Sequence, residues 1–170
     1  IIDASSLLAI CRGQKLAEFT DVDIAIKNEN TNLENLIKII KKENTYSHKK
    51  FIFHKKKHFL FKKGSFLQCV LTSKCNSYIR EPVNIEFYTE NKLNKNYYRF
   101  VPPNLLSKSP EKYRNHKKTK KYNNLILSIP KDTNGYLEHL YGINWQKKNQ
   151  NWKNENSKKR FSYYSIFKKK

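Results

Sequence analysis

The chain has 170 residues, 38% of them apolar and 14% aromatic, enough for one domain with a buried core and too few for two. Lys and Arg total 35 against 14 Asp and Glu, a formal charge of +21, which points toward polyanionic partners such as nucleic acid, anionic membrane or phosphorylated ligands. The basic residues are overwhelmingly Lys and Gly numbers only 4, a pattern that suits an AT-rich coding sequence. Base readout leans on Arg instead, so sequence-specific nucleic-acid recognition is disfavoured.

There is no Met and the chain opens on Ile1-Ile2, so it reads as a fragment or a processed product. No apolar run reaches the length of a membrane span and no signal peptide is present; if either exists, it lies upstream. Cys11, Cys69 and Cys75 lack metal-site spacing. A Cys69–Cys75 bridge is one reading and three idle thiols the other.

Ser5-Ser6-Leu7-Leu8-Ala9-Ile10 predicts a short apolar helix capped by serine. Small residues there let a phosphate approach backbone donors. Arg12 and a polar loop follow, then Thr20-Asp21-Val22-Asp23-Ile24-Ala25-Ile26. As a strand, this stretch turns Val22, Ile24 and Ile26 to a core and Asp21, Asp23 and Ala25 to the opposite face. Two carboxylates side by side repel, and a divalent cation between them removes the conflict. The functional reading is a metal-dependent phosphoryl or nucleotidyl transfer site; the bland one is a strand end with two solvated acids.

Thr31 to Lys42 predicts a helix with Leu33, Leu36, Ile37 and Ile40 on one face. Strands are expected at Phe51–Phe53, His58–Phe61 and Ser65–Leu71, with a hairpin turn at Lys62-Lys63-Gly64. His48, His54 and His58 lie among lysines, which argues against a metal there.

Val83 to Tyr88 alternates in the same way and is expected to partner the Asp strand. It offers Asn84 or Glu86 where a third acid facing the metal belongs. Asn94 to Lys121 reads as polar and basic, with an aromatic patch at Tyr97, Tyr98 and Phe100, and Lys117 to Lys121 as a solvated loop. Asn124 to Ile129 predicts a strand. Pro130-Lys131-Asp132-Thr133 then starts a helix with Tyr136, Leu137, Leu140 and Tyr141 on one face, closed by Gly142. Trp145 and Trp152 follow in a polar setting, and residues 154–170 form a basic tail expected to be loosely ordered.

Three blocks together resemble the LicD/fukutin family, on its fukutin side. The first is Ser5-Ser6-Leu7-Leu8-Ala9, Arg12 and Asp21-Val22-Asp23. The second is Val83-Asn84-Ile85-Glu86-Phe87. The third runs from Ile129-Pro130 through Gly135-Tyr136-Leu137-Glu138-His139-Leu140-Tyr141-Gly142 to Trp145 and Trp152. The match spans about residues 4 to 153. It implies an α+β, nucleotidyltransferase-like domain over 1–153, a small mixed β-sheet flanked by helices.

The resemblance further implies transfer of a phosphorylated alditol or choline group from a CDP-activated donor to a glycan or glycoprotein acceptor. Mg²⁺ or Mn²⁺ would be held by Asp21, Asp23 and Asn84, with Ser5, Ser6 and Arg12 near the donor phosphates. Tyr141 and Trp145 would wall the cleft. Location in the Golgi or ER lumen, an upstream N-terminal anchor and glycosylation-complex partners are implied in the same way. Ser5 and Ala9 replace two family glycines, and Asn84 replaces the third Asp, for which Glu86 is the candidate substitute. Two alternatives stand beside transfer: a non-catalytic homologue acting as a scaffold, and a basic nucleic-acid-binding module.

Overall fold

The computed structural model describes residues 1–15, 21–27, 30–43, 46–52, 60–61, 63–74, 82–91, 93–101, 105–147 and 160–162. A short helix, α1 (Ala4–Cys11), leads to strand β1 (Val22–Lys27) and the amphipathic helix α2 (Asn30–Glu43). Five strands follow: β2 (Tyr46–Ile52), β3 (Phe66–Ser73), β4 (Val83–Asn91), β5 (Asn96–Val101) and β6 (Leu105–Pro110). Helix α3 (Lys112–Asn115), strands β7 (Lys117–Tyr122) and β8 (Leu125–Pro130), helix α4 (Thr133–Tyr141) and strand β9 (Arg160–Ser162) complete the order.

The fold is α+β, as expected, and its main sheet is mixed. Strands β2, β3, β4, β5, β6 and β9 are successive antiparallel neighbours, and β1 joins β4 in parallel. A parallel pair needs a crossover between its strands. Here α2 and the β2–β3 pair supply it. Strands β7 and β8 form a separate two-stranded sheet.

Alternation along β1 and β4 gives the sheet two different faces. Ile24, Ile26, Val83, Ile85 and Phe87 share one, with Ile40, Leu36 and Ile37 of α2 packed on it beside Cys69 and Leu71 of β3. The opposite face carries Asp23, Ala25, Asn84, Glu86 and Tyr88. It does not look onto solvent. Helix α1 bonds to it through Ser5 and Ser6, α3 brings Arg114 to Tyr88, and Tyr136 of α4 joins them through Arg114. A second core lies between α1, α4 and the hairpin, built from Leu7, Leu8, Ile10, Ile129, Tyr136, Leu137 and Leu140.

Several expectations need correction. Lys117–Lys121 is not a loop but most of β7, because each residue finds a backbone partner on β8. The rest of the basic stretch from Asn94 likewise folds into β5, β6 and α3. Leu60 and Phe61 do not continue a strand; both bury in one cluster with Leu67 and Leu106, which strand alternation does not allow. Helix α1 is not capped by serine: Asp3 is its N-cap residue and Ser5 and Ser6 lie inside the first turn. Trp145 is buried at 8% exposure rather than in a polar setting. Within the basic tail, Arg160–Ser162 add a strand along the open edge of β6. Cys69 is a buried free thiol, in line with the idle-thiol reading, and Cys75 falls outside the described residues. Thr20, Phe53, His54, His58, Phe59 and Trp152 fall outside the described residues, as does the side chain of His48.

Candidate functional site

The parallel pairing of β1 with β4 builds the site. Its register sets Asp23 against Asn84 and Ala25 against Glu86, so the paired positions share a face. Asp21, one residue before β1, accepts a hydrogen bond from Asn84 Nδ2 on its Oδ2 at 2.5 Å. Asp21, Asp23 and Asn84 are thus one group. The strand expected to supply the third ligand position does lie beside the Asp strand.

Asp23 also organises the start of α1. Its Oδ2 accepts from the backbone N–H of Ser5 at 3.2 Å and from Ser5 Oγ at 2.5 Å. Its own N–H donates to Ser6 Oγ at 2.8 Å. A helix start has unpaired N–H groups and a positive dipole end, and a carboxylate answers both. The N-cap residue Asp3 makes no side-chain cap bond, so Asp23, distant in sequence, takes that part. Asp23 is 8% exposed, which removes the reading of solvated strand-end acids for this residue. The left-handed residue here is Ala4, at φ 41°, and neither Ser5 nor Ala9 has positive φ. Replacing glycine at those two positions therefore imposes no backbone strain.

Arg12 is elsewhere. It is the C-cap residue of α1, roughly 10 Å along the helix axis from Ser5. Its Nε donates to the carbonyl of Trp145 at 2.9 Å and its Nη2 to the carbonyls of Trp145 and Lys147, the latter at 2.7 Å. Arg12 pins the chain after α4 rather than joining the serines. Tyr141 packs half-buried against the core under α4. Trp145 lines a cavity of about 370 Å³ with Cys11, Lys118, Lys120 and Thr133, and none of the Asp21–Asn84 group lines it.

Glu86, two residues along β4 from Asn84, belongs to a buried ionic network that motif reasoning missed. It is 5% exposed and ion-paired with Arg99. Arg99 Nη1 also lies 3.4 Å from Asp3 Oδ2, to which Arg114 Nη2 donates at 3.1 Å. Arg114 donates further to the hydroxyls of Tyr88 at 2.6 Å and Tyr136 at 2.5 Å, and Tyr136 donates to Asp3 Oδ1. The Arg114 guanidinium stacks 4.2 Å from the Tyr88 ring centroid. Burial alone would raise the Asp3 carboxyl; Arg114, Arg99 and the Tyr136 hydroxyl reverse this and hold it well below the usual carboxylate range. Burial pushes the Tyr88 and Tyr136 phenols up, so both stay protonated.

Arg114 and Tyr88 also line a cavity of about 400 Å³, together with Ala25, Lys27, Tyr97 and Lys117. Its lining carries cations and no acid, and Lys27 pairs with Glu90 at 3.8 Å. Ala25 lies two residues from Asp23 on the same face of β1, so this cavity adjoins the carboxylate group.

Chemically, Asp21 and Asp23 supply hard carboxylate oxygens, which suit Mg²⁺ or Mn²⁺ rather than a softer metal, while Asn84 turns its amide nitrogen to Asp21. One or two carboxylates completed by substrate phosphates is the usual protein share of a Mg²⁺ site. Among the described residues no three His, Cys, Asp or Glu side chains cluster as a self-sufficient metal site. Among the described residues no helix is long and apolar enough to cross a membrane. No protein-family model, curated protein or solved structure matches the chain.

Proposed function

We propose that this chain is a LicD/fukutin-type phosphotransferase, moving a phosphorylated alditol or choline group from a CDP-linked donor to a glycan acceptor. The observation that carries the reading is the β1–β4 register. It brings Asn84 against the Asp21-Val22-Asp23 strand at the N-terminus of α1, which supports the reading. Asp21 and Asp23 would hold Mg²⁺ or Mn²⁺, with Asn84 positioning Asp21 through its amide N–H. A cation bound there would neutralise charge building on the donor pyrophosphate.

The chain's own groups serve the rest. Ser5 and Ser6 fix Asp23 and so set where its carboxylate points. Of the basic side chains lining the cavity beside Ala25, Lys27 pairs with Glu90 and Arg114 with Asp3, and Lys117 would meet an anionic donor on this face. Glu86 is a positioning residue in this reading, because Arg99 engages its carboxylate.

A second reading, a non-catalytic scaffold of the same family, draws support from two features. Asn84 brings no negative charge, and Glu86 is neutralised by Arg99. Turnover of CDP-ribitol or CDP-choline with Mn²⁺ present separates the two. The transferase reading expects release of CMP that Asp21→Asn reduces at least a hundredfold, since removing charge stabilisation costs about that much. Release unaffected by Asp21→Asn would reject the site. No release from either donor, with CDP still bound, would favour the scaffold.

A further inference from the structure

The β7–β8 hairpin stands apart from the main sheet and has an unusual composition. From Lys112 to Lys131 there is no acid, and Glu111 and Asp132 bracket the stretch. Every residue of β7 from Lys117 to Lys121 is exposed. At the other side of the turn, Leu125 is 57% and Ile126 78% exposed.

The hairpin's two faces explain part of this. The cross-strand register pairs Lys118 with Ile129, Lys120 with Leu127 and Tyr122 with Leu125, and Tyr122, Leu127 and Ile129 pack toward the α1–α4 core. Lys121 lies opposite Ile126 on the outer face, with Lys117 further along it. Leu125 closes the inner face at the tip, beyond the core. Two backbone bonds fix the hairpin's base, from Ile2 N–H to the Ser128 carbonyl and from Lys131 N–H to the His116 carbonyl, both 2.9 Å. A rigid ribbon thus presents two large aliphatic side chains at its tip, with lysines along the flank.

Edge protection accounts for the lysines, since charge on an open strand discourages pairing with another sheet. It leaves Leu125 and Ile126 unexplained. Exposed aliphatics flanked by lysine are what an anionic bilayer surface rewards: apolar tips enter the acyl boundary while ammonium groups meet lipid phosphates. Nucleic acid rewards other groups, Arg forks and stacked aromatics. The only Arg between the brackets, Arg114, is buried in the Asp3 network, and Tyr122 packs on the core.

We propose that the tip of the β7–β8 hairpin docks on anionic lipid surfaces, with Leu125 and Ile126 inserted and the outer-face lysines Lys117 and Lys121 against the headgroups. The proposal is independent of the transfer reaction. Sedimentation of the full chain with phosphatidylcholine vesicles, with and without phosphatidylserine, tests it. The phosphatidylserine vesicles are expected to bind at least tenfold more tightly. The charge-neutral variant Leu125→Ser/Ile126→Ser, at positions too exposed to support the core, should lose about tenfold or more of that binding. Lys117→Gln/Lys121→Gln should lose on the order of fivefold per lysine.

Binding that survives Leu125→Ser/Ile126→Ser unchanged would assign the attraction to the overall charge of +21 and overturn the proposal. Equal affinity for both vesicle types would overturn it too. So would tight single-stranded RNA binding weakened by Lys117→Gln/Lys121→Gln without any vesicle binding.

Discussion

Asp3 is completely buried between two guanidinium groups, and its charge is what makes their burial tolerable. Removing one member of such a network leaves the others uncompensated in a low dielectric. Asp3→Asn is therefore expected to cost about 3–5 kcal/mol at neutral pH, measured by urea unfolding. The sign of its pH dependence follows from the depressed carboxyl. A group whose folded pKa lies below its unfolded value stabilises fully above the unfolded value and loses that contribution as pH falls toward the folded one. The wild type should hold its advantage over Asp3→Asn down to about pH 5, then lose about 1.4 kcal/mol per pH unit below the ordinary Asp value of about 3.9. An advantage that stays constant from neutral pH to pH 3 would contradict this role.

That network was hidden from motif reading for a physical reason. Asp3 precedes a helix, where Asp is normally a local cap, and nothing in its neighbours announces two partners about a hundred residues away. One signal was present: only 5 of the 35 basic residues are Arg, namely Arg12, Arg80, Arg99, Arg114 and Arg160. In a chain that otherwise uses Lys, an Arg marks a place where a planar, multi-donor cation is needed. Arg12 and Arg114 each use two guanidinium nitrogens on separate acceptors, which a single ammonium would not reproduce.

Among the elements, α4 is the one whose every local signal agrees with its structure. Asp132 caps it by accepting from Gly135 N–H at 2.9 Å, Tyr136, Leu137 and Leu140 bury, and Gly142 closes it at φ 92°. Gly135 sits inside the helix because a side chain there would run into the cap: a Cβ would lie 2.8 Å from Asp132 Cγ. The two positions should therefore be coupled. Gly135→Ala is expected to destabilise the wild type by dislodging a cap worth about 1 kcal/mol. In an Asp132→Ala background the same change should stabilise by up to about 1 kcal/mol, through helix propensity alone. Additive effects in a double-mutant cycle would remove the clash as the explanation.

Strand β1 and helix α1 show what periodicity can and cannot tell. Alternation divided β1 correctly into an apolar face and a carboxylate face, and it identified β4 as a strand of the same kind. It said nothing about what covers the second face. A carboxylate is ordinarily turned to water, but the start of α1 supplies donors that let Asp23 sit under cover. The lysine run at β7 failed in the opposite direction. Its composition reads as solvated loop, while its pairing with the apolar β8 makes it a strand with solvated side chains.

At the scale of the molecule, the +21 charge is spread over a fold that keeps its acids at specific places. Asp3 and Glu86 neutralise buried arginines, and Asp21 and Asp23 gather on one sheet face beside a cation-lined cavity. Asp21 stays half-buried at the end of that face while Asp23 lies under the start of α1. We propose this group as a metal-dependent site for a CDP-linked donor. Calorimetric titration of CDP in the presence of Mn²⁺, repeated with EDTA and with Asp21→Asn, tests it most directly. Binding that both EDTA and Asp21→Asn abolish is expected, with the unfolding temperature of the variant near that of the wild type. CDP binding that is indifferent to the metal and to Asp21, or no binding under any metal condition, would contradict it.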